Sequence, residues 1–554
     1  MSGNQAEPFT VVTDVPLGVE GLFRIAFDAD GVRATLPPPA HELRIPRRFL
    51  AAAGGPLVAT LDYDGVKWTL LAGGQRDVDY VAAPVALPAG ADLSPYPKRP
   101  LPEPPATRPV TRPIQYWTPD DWNAWVGDVV LANWKGRIHV FYLFDRRHHQ
   151  SKEGRGGHYF AHLSSPDLVH WEEHPPAVVP EERWEYIGTG TPFVDGDRLL
   201  LFYGLHTFRH VPAEETSAPE QAAYLAAHGR EGVFPFGALK GLPAGGTYAA
   251  TTDGVHFAKS HLLVTSDQNP SPFRMADGRI GLPRSAFAEE RGLWTSDRLS
   301  GWAFDSDTIP THGDCPCPFI WNGWHYILQG FTGMAASPTG ARGTWEDWVL
   351  SGDDIYDGLS VPMVVPYGDN RRLIAGWVIH PDGWGGWLCF RELIQYPDGR
   401  LGMKWVPEIA LPAAPRVFRA APDRPFVLRF APEVAGASDL EFRIDPAEGR
   451  AQFADAPGPG PAPRRPTLSA FMNDWARGIR PRRNPSRPDL CGDVAIGRIR
   501  GLDAPFEVRL VAYYDPKADA TVFDAEIAGQ RTLLCRRRGR YLMQNAQCRM
   551  QNEE

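Results

Sequence analysis

Cysteine is scarce, with six in 554 residues at positions 315, 317, 389, 491, 535 and 548. Such scattered singles exclude a disulfide-stapled scaffold, and Cys315-Pro316-Cys317 lacks the second ligand pair that a zinc site needs. No run of about 18 apolar residues occurs, so no helix is expected to cross a membrane. The opening residues, Met1 to Pro8, carry neither a basic stretch nor an apolar one, and the expectation is a reduced, cytoplasmic protein without a secretory signal. Basic charge is not in surplus: 57 Lys and Arg stand against 66 Asp and Glu, a net charge of −9, which argues against a nucleic-acid partner. A phosphate-cradling glycine loop and a Gly-x-Ser-x-Gly elbow are both missing. Helical periodicity is nearly missing too, with residues 213–229 the one candidate.

Tryptophan and proline are what the chain has, 18 and 55 respectively. Proline fixes φ and removes a backbone donor, so proline-rich runs read as extended connections. Runs at 93–113 and 412–425 divide the chain into residues 1–112, 113–411 and 412–554, and a third, Pro457 to Pro466, reads as a long loop inside the last unit. At this length two or three domains are expected.

The middle unit repeats. Turn pairs followed by alternating apolar and aromatic residues occur at 134–142, 194–203, 276–282, 321–328 and 368–377. Asp-Gly and Asn-Gly supply the positive φ angles of tight hairpins, so each copy predicts a hairpin. A polar turn ending in an aromatic trails four copies, as in Ser165-Pro-Asp-Leu-Val-His-Trp171 and Thr252-Asp-Gly-Val-His-Phe257, and suits the outermost edge of a blade. Five such copies predict a five-bladed β-propeller. Alternating runs in the last unit, such as 426–430 and 506–514, predict a C-terminal β-sandwich. The first unit reads as a small N-terminal β domain. The fold class is all-β.

A propeller gathers the inner strands around a central funnel, so acids far apart in sequence can converge there. Glycoside cleavage needs that convergence, with one carboxylate on each side of the scissile bond. Asp128, after Gly127 and before an apolar run, is either a turn cap or such a carboxylate. Asp145-Arg146-Arg147-His148-His149 follows the first hairpin as a charged loop that can line a sugar pocket. Trp125, Trp324, Trp384 and Trp387 are possible stacking platforms, with blade packing the alternative for at least two of them. His148, His149, His158 and His162 have no carboxylate or cysteine at ligand spacing, so no metal is expected, and no cofactor.

From about Trp117 to Glu408 the chain resembles glycoside hydrolase family 32, the β-fructofuranosidase, invertase and levanase group. The resemblance rests on Gly127-Asp128 before Lys135-Gly-Arg-Ile-His-Val-Phe-Tyr142, on His162-Leu-Ser-Ser-Pro-Asp-Leu-Val-His-Trp171, on Thr189-Gly-Thr191, and on Trp384-Gly-Gly-Trp387 with Arg391-Glu392. It implies a propeller followed by a sandwich, and a retaining enzyme for furanosides, foremost β-fructofuranosyl linkages. It also implies roles. Asp128 matches the nucleophile. Gln268-Asn269-Pro270 falls where the family has Arg-Asp-Pro, so Asn269, with Asp267 and Gln268 beside it, would hold sugar hydroxyls without a stabilising charge. Asp314, before Cys315, falls on the acid/base glutamate and is one methylene shorter. Thr189 stands in the family's Ser-Gly-Ser, and Phe471 to Asp474 mimics the nucleophile string by coincidence. These departures leave open an arabinofuranosidase-like activity or a non-catalytic sugar binder.

Overall fold

The computed structural model describes residues 7–15, 17–19, 22–37, 42–50, 56–80, 87–96, 106–148, 158–181, 185–207, 234–235, 245–265, 269–284, 291–310, 315–330, 333–348, 355, 357–434, 436–455 and 494–544. The candidate helix at 213–229, the proline run 457–466 and the string 471–474 lie outside them. Within them the regular structure is strands, one 3-10 turn, Arg47–Phe49, and a single helical residue, Trp348. No helix among the described residues is long and apolar enough to cross a membrane.

The first unit folds as two four-stranded antiparallel sheets. Their alternating faces meet in one core around Phe9, Ile25, Leu61 and Trp68, as period-two patterning requires.

Next come five successive antiparallel meanders that begin with the strands Ala124–Trp134, Glu185–Ile187 continued by Pro192–Asp195, Phe273–Arg274, Pro316–Trp321 and Leu359–Tyr367. All five predicted hairpins are present as register pairs, from Trp134↔Arg137 to Tyr367↔Arg371. Lys135-Gly136 and Asn322-Gly323 take φ of 48° and 74°, and 46° and 82°, the doubly positive signature of the two-residue turn. The trailing polar turns are capped alike. Asp167 accepts the amides of Val169 and His170 while Trp171 Nε1 donates back to the Leu168 carbonyl; Asp253 accepts those of Val255 and His256. Each leads into the outermost strand, Glu172–Val178 or Ala258–Lys259. Arg108–Pro109 adds a further short strand on Glu172–Val178.

The first strand of every meander contributes to the lining of one cavity of about 250 Å³, through Leu131, Phe193, Phe273, Pro318 and Met363. The last meander returns to the first through Val126↔Gly386 and the bridge Trp117↔Leu388, closing the ring. This is a β-propeller. A β-sandwich follows, with sheets of four and five strands packed through Phe418, Phe430, Phe442, Phe453 and Phe523.

Propeller and sandwich are joined by buried charge. Arg391 Nε lies 3.2 Å from Asp357 Oδ2, its Nη2 lies 2.9 Å from Asp524, and Thr532 and Tyr116 donate to the two carboxylates. A fully buried guanidinium is tolerable only with such pairing.

Candidate active site

Asp128 sits in a β-bulge. The register between the first two strands jumps from Val126↔Phe144 to Val129↔Tyr142, so Gly127 and Asp128 together oppose Leu143. A bulge re-aims a side chain that strict alternation would turn the other way. Gly127 is fixed by sterics: a Cβ there would overlap the Trp384 ring and lie 2.9 Å from the Leu143 carbonyl. Asp128 is buried, 8% exposed, and its Oδ2 lies 3.9 Å from Cys315 Sγ. The segment that follows Asp314 therefore reaches Asp128 across 187 positions of chain. Asp314 itself lies outside the described residues, as do Asp267, Gln268 and His149.

The remaining elements arrive at the same end of the ring. Leu131, Thr191, Pro272 and Cys317 line the axial cavity. Asp128, Thr189, Asn269 and Cys315 precede them by two or three residues, about 7–10 Å along a strand. The Thr191 amide donates to the Pro270 carbonyl at 3.0 Å, tying the second meander to the third beside Asn269. Thr189 Oγ1 and Thr191 Oγ1 are buried without a hydrogen-bond partner among the described residues, and buried hydroxyls in that state call for a polar guest. Trp384 forms a wall: it packs over Gly127, stacks on His158 at 4.9 Å and touches Trp377 at 5.1 Å. His158 is held between Asp145, 3.1 Å from its Nε2, and the Tyr186 hydroxyl, 3.3 Å from its Nδ1. Burial pushes the Cys317 thiol up to about 12, so it is no nucleophile at neutral pH.

Several expected sugar-binding residues are employed elsewhere. Arg146 gives its guanidinium to Asp121 at 2.6 Å, to Asn123 and to the Arg76 carbonyl, while Arg147 bonds Asp77 at 2.7 Å and the Val78 carbonyl. Both pin the N-terminal unit to the first meander, so their guanidiniums serve a domain joint. Trp125 lines a separate cavity, its ring tilted against His380 at 4.3 Å beneath the Lys517 ammonium. His148 lines that same cavity; its ring is stacked on Trp125 and His380, and burial lowers its pKa. Trp387 is fully buried and donates to Asp515 of the sandwich, and Trp324 packs on Tyr326 and Trp348 at the hairpin end. Of the four tryptophans, Trp384 alone walls the Asp128 site. Sequence reasoning weighed His158 only as a metal ligand and passed over Tyr186, because only folding brings them together under that ring.

A model of the glycosyl hydrolases family 32 N-terminal domain matches residues 123–234, the stretch that carries Asp128, His158, Tyr186 and Thr189. Over that stretch the chain is similar to family 32. Among curated proteins it is similar to sucrose-6-phosphate hydrolase of Escherichia coli, 22% identical over 322 residues, and to raffinose invertase of the same organism, 21% identical. Each match covers 50% of this chain and 61% of the relative's own length. In fold it is similar to the GH32 β-fructofuranosidase BmSUC1 of Bombyx mori, with a TM-score of 0.51 at 16% identity over 78% of this chain and 90% of that one. The family model spans the first two meanders, and the likeness in fold to BmSUC1 agrees with the all-β reading of a propeller followed by a sandwich.

Proposed function

We propose that the protein is a retaining glycoside hydrolase, or transglycosidase, acting on β-fructofuranosyl linkages, on a propeller whose five meanders are its blades. The observation that carries this reading is the buried Asp128 carboxylate, turned inward by a bulge, beside the segment that follows Asp314. Retention needs two carboxyl groups about 5–5.5 Å apart, and the approach of Cys315 supports Asp314 as the second. In the first step Asp128 attacks the anomeric carbon while Asp314 gives its proton to the departing glycosidic oxygen. In the second, Asp314 takes a proton from water, or from an acceptor hydroxyl, which displaces Asp128. Asn269 and the Thr189 hydroxyl hold ring hydroxyls, and the Trp384 face packs against the sugar.

The relatives named above support a fructosyl substrate. A neutral amide at 269 removes one negative charge from the neighbourhood of the developing oxocarbenium ion, so turnover slower than an aspartate would give is expected. The test is product analysis with sucrose, sucrose 6-phosphate, raffinose, inulin, levan and p-nitrophenyl furanosides, wild type beside Asp128→Ala. Release of fructose that Asp128→Ala abolishes is the expected result. Release that Asp128→Ala leaves intact refutes the nucleophile, and cleavage of arabinofuranosides alone refutes the substrate.

A further inference from the structure

The second cavity, about 480 Å³, lies where the N-terminal unit, the propeller and the sandwich meet, away from Asp128. His148, His380 and Asp382 all line it, and one ligand-capable atom of each lies within 4.8 Å of the other two. They come from opposite ends of the ring. His148 lies two residues beyond the second strand of the first meander, Arg137–Arg146, while His380 ends the strand Arg371–His380 and Asp382 lies in the turn before the last long strand, Gly383–Gln395. Close approach is possible because residue 383 is glycine: a Cβ there would lie 3.1 Å from that of His148.

The protonation pattern suits a cation. His148 Nδ1 donates to the Trp384 carbonyl at 3.0 Å, which leaves Nε2 as the lone-pair nitrogen. This backbone-carbonyl anchor is the usual orientation of an imidazole that ligates through its other nitrogen. His380 Nδ1 receives the Asp382 amide at 3.0 Å, so it too carries a lone pair, and Asp382 Oδ2 lies 3.7 Å from it. Tetrahedral ligands bonded at 2.0–2.1 Å stand about 3.4 Å apart. Arg538 of the sandwich pairs with Asp382 Oδ1, so the ion pair leaves the other oxygen available. The cavity offers an entry path and room for water in a fourth position. Lys517, the nearest ammonium on this wall, is turned to the carbonyls of Pro119 and Ala124 at 2.7 and 2.6 Å, and Arg147 is paired with Asp77.

We propose that His148, His380 and Asp382 form a binding site for a divalent transition metal of the zinc type, which clasps the first meander of the propeller to the last. Binding exchanges the Asp382 amide bond on His380 for a bond to the metal. Because Trp384 follows two residues after Asp382 and its carbonyl holds His148, the clasp also fixes the indole that packs over Gly127.

The test titrates the full-length, chelator-treated protein with Zn²⁺ by calorimetry and with Co²⁺ by visible absorption, alongside Asp382→Asn and His148→Ala. Expected are one ion per chain at micromolar concentration, a cobalt spectrum of a four-coordinate N/O site, and a thermal midpoint raised by several degrees when zinc is in excess. Both variants lose at least tenfold in affinity, and Asp382→Asn, half-exposed, keeps the metal-free midpoint. Absence of saturable binding at these concentrations overturns the proposal. So does binding that both variants retain unchanged, or a site that takes Mg²⁺ or Ca²⁺ in preference to zinc.

Discussion

Acid should attack the outer edge of the first meander first, through a row of buried imidazoles. His139 Nδ1 lies 3.0 Å from His162 Nε2, the His162 ring packs tilted 4.5 Å from that of His174, and His174 is held between the hydroxyls of Thr107 and Ser164 at 2.9 and 2.7 Å. His139 is 2% exposed and His162 fully buried. Burial, then repulsion from His174 and Arg137, lowers the pKa of His139 to about 4, and burial, then repulsion from His174, His139 and Arg137, holds His162 well below its ordinary value. An unfolded histidine titrates near 6.5. Between those values the unfolded chain binds the proton that the folded chain refuses, so stability rises with pH across this window and is lost as pH falls through it. For His139 alone the linkage amounts to about 2 kcal/mol at pH 5 and about 3 kcal/mol at pH 4, relative to pH 7. Urea unfolding at pH 7, 5 and 4 of wild type and His139→Gln isolates that share, because every other group titrates in both proteins. The wild type should lose about 2 kcal/mol more than the variant by pH 5. Parallel loss in the two proteins would show that His139 accepts its proton without penalty, and the reasoning from burial would fail.

Three further outcomes follow from single contacts. Gly127→Ala forces the Trp384 ring aside and should cost about 1–3 kcal/mol in urea unfolding, the range of an overpacked core, together with most fructose release. Pairing it with Trp384→Ala should recover part of the stability and none of the activity. Arg391→Met leaves Asp357 and Asp524 buried together, and the Asp524 carboxyl is already pushed up to about 6 by burial; a loss of about 3–5 kcal/mol is expected by denaturant unfolding. Asn269→Asp restores a carboxylate beside the proposed reaction centre and should raise kcat on the best substrate at least severalfold, whereas an unchanged or lower rate would place Asn269 away from the anomeric carbon.

Local chemistry made the repeat legible. Turn pairs such as Lys135-Gly136 and Asn322-Gly323 encode positive φ, and Asp167 and Asp253 cap the following turns through hydrogen bonds only two or three residues long, so hairpins and edge strands could be placed from the chain alone. Asp128 stands out as a lone acid between glycine and an apolar run, but the bulge that sets its direction is a feature of the strand pairing. What could not be read were pairings that close across the ring or between units. The loop 145–148 looks like a sugar-binding surface, yet Asp77 and Asp121 claim its two arginines, and neither partner is adjacent in sequence. Trp125 and Trp384 are equivalent as letters; a bulge at 127–128 and the docking of the sandwich send one into an interunit cavity and the other against Asp128.

The sequence by itself determined the strand-rich fold class and the hairpin repeat, because each rests on spacing within a few residues. The tertiary structure decided which tryptophan walls the site, which arginines are spent on domain joints, and that His148 gains His380 and Asp382 as neighbours. Those outcomes depend on ring closure and on where three packed units meet, and no short stretch of chain encodes either.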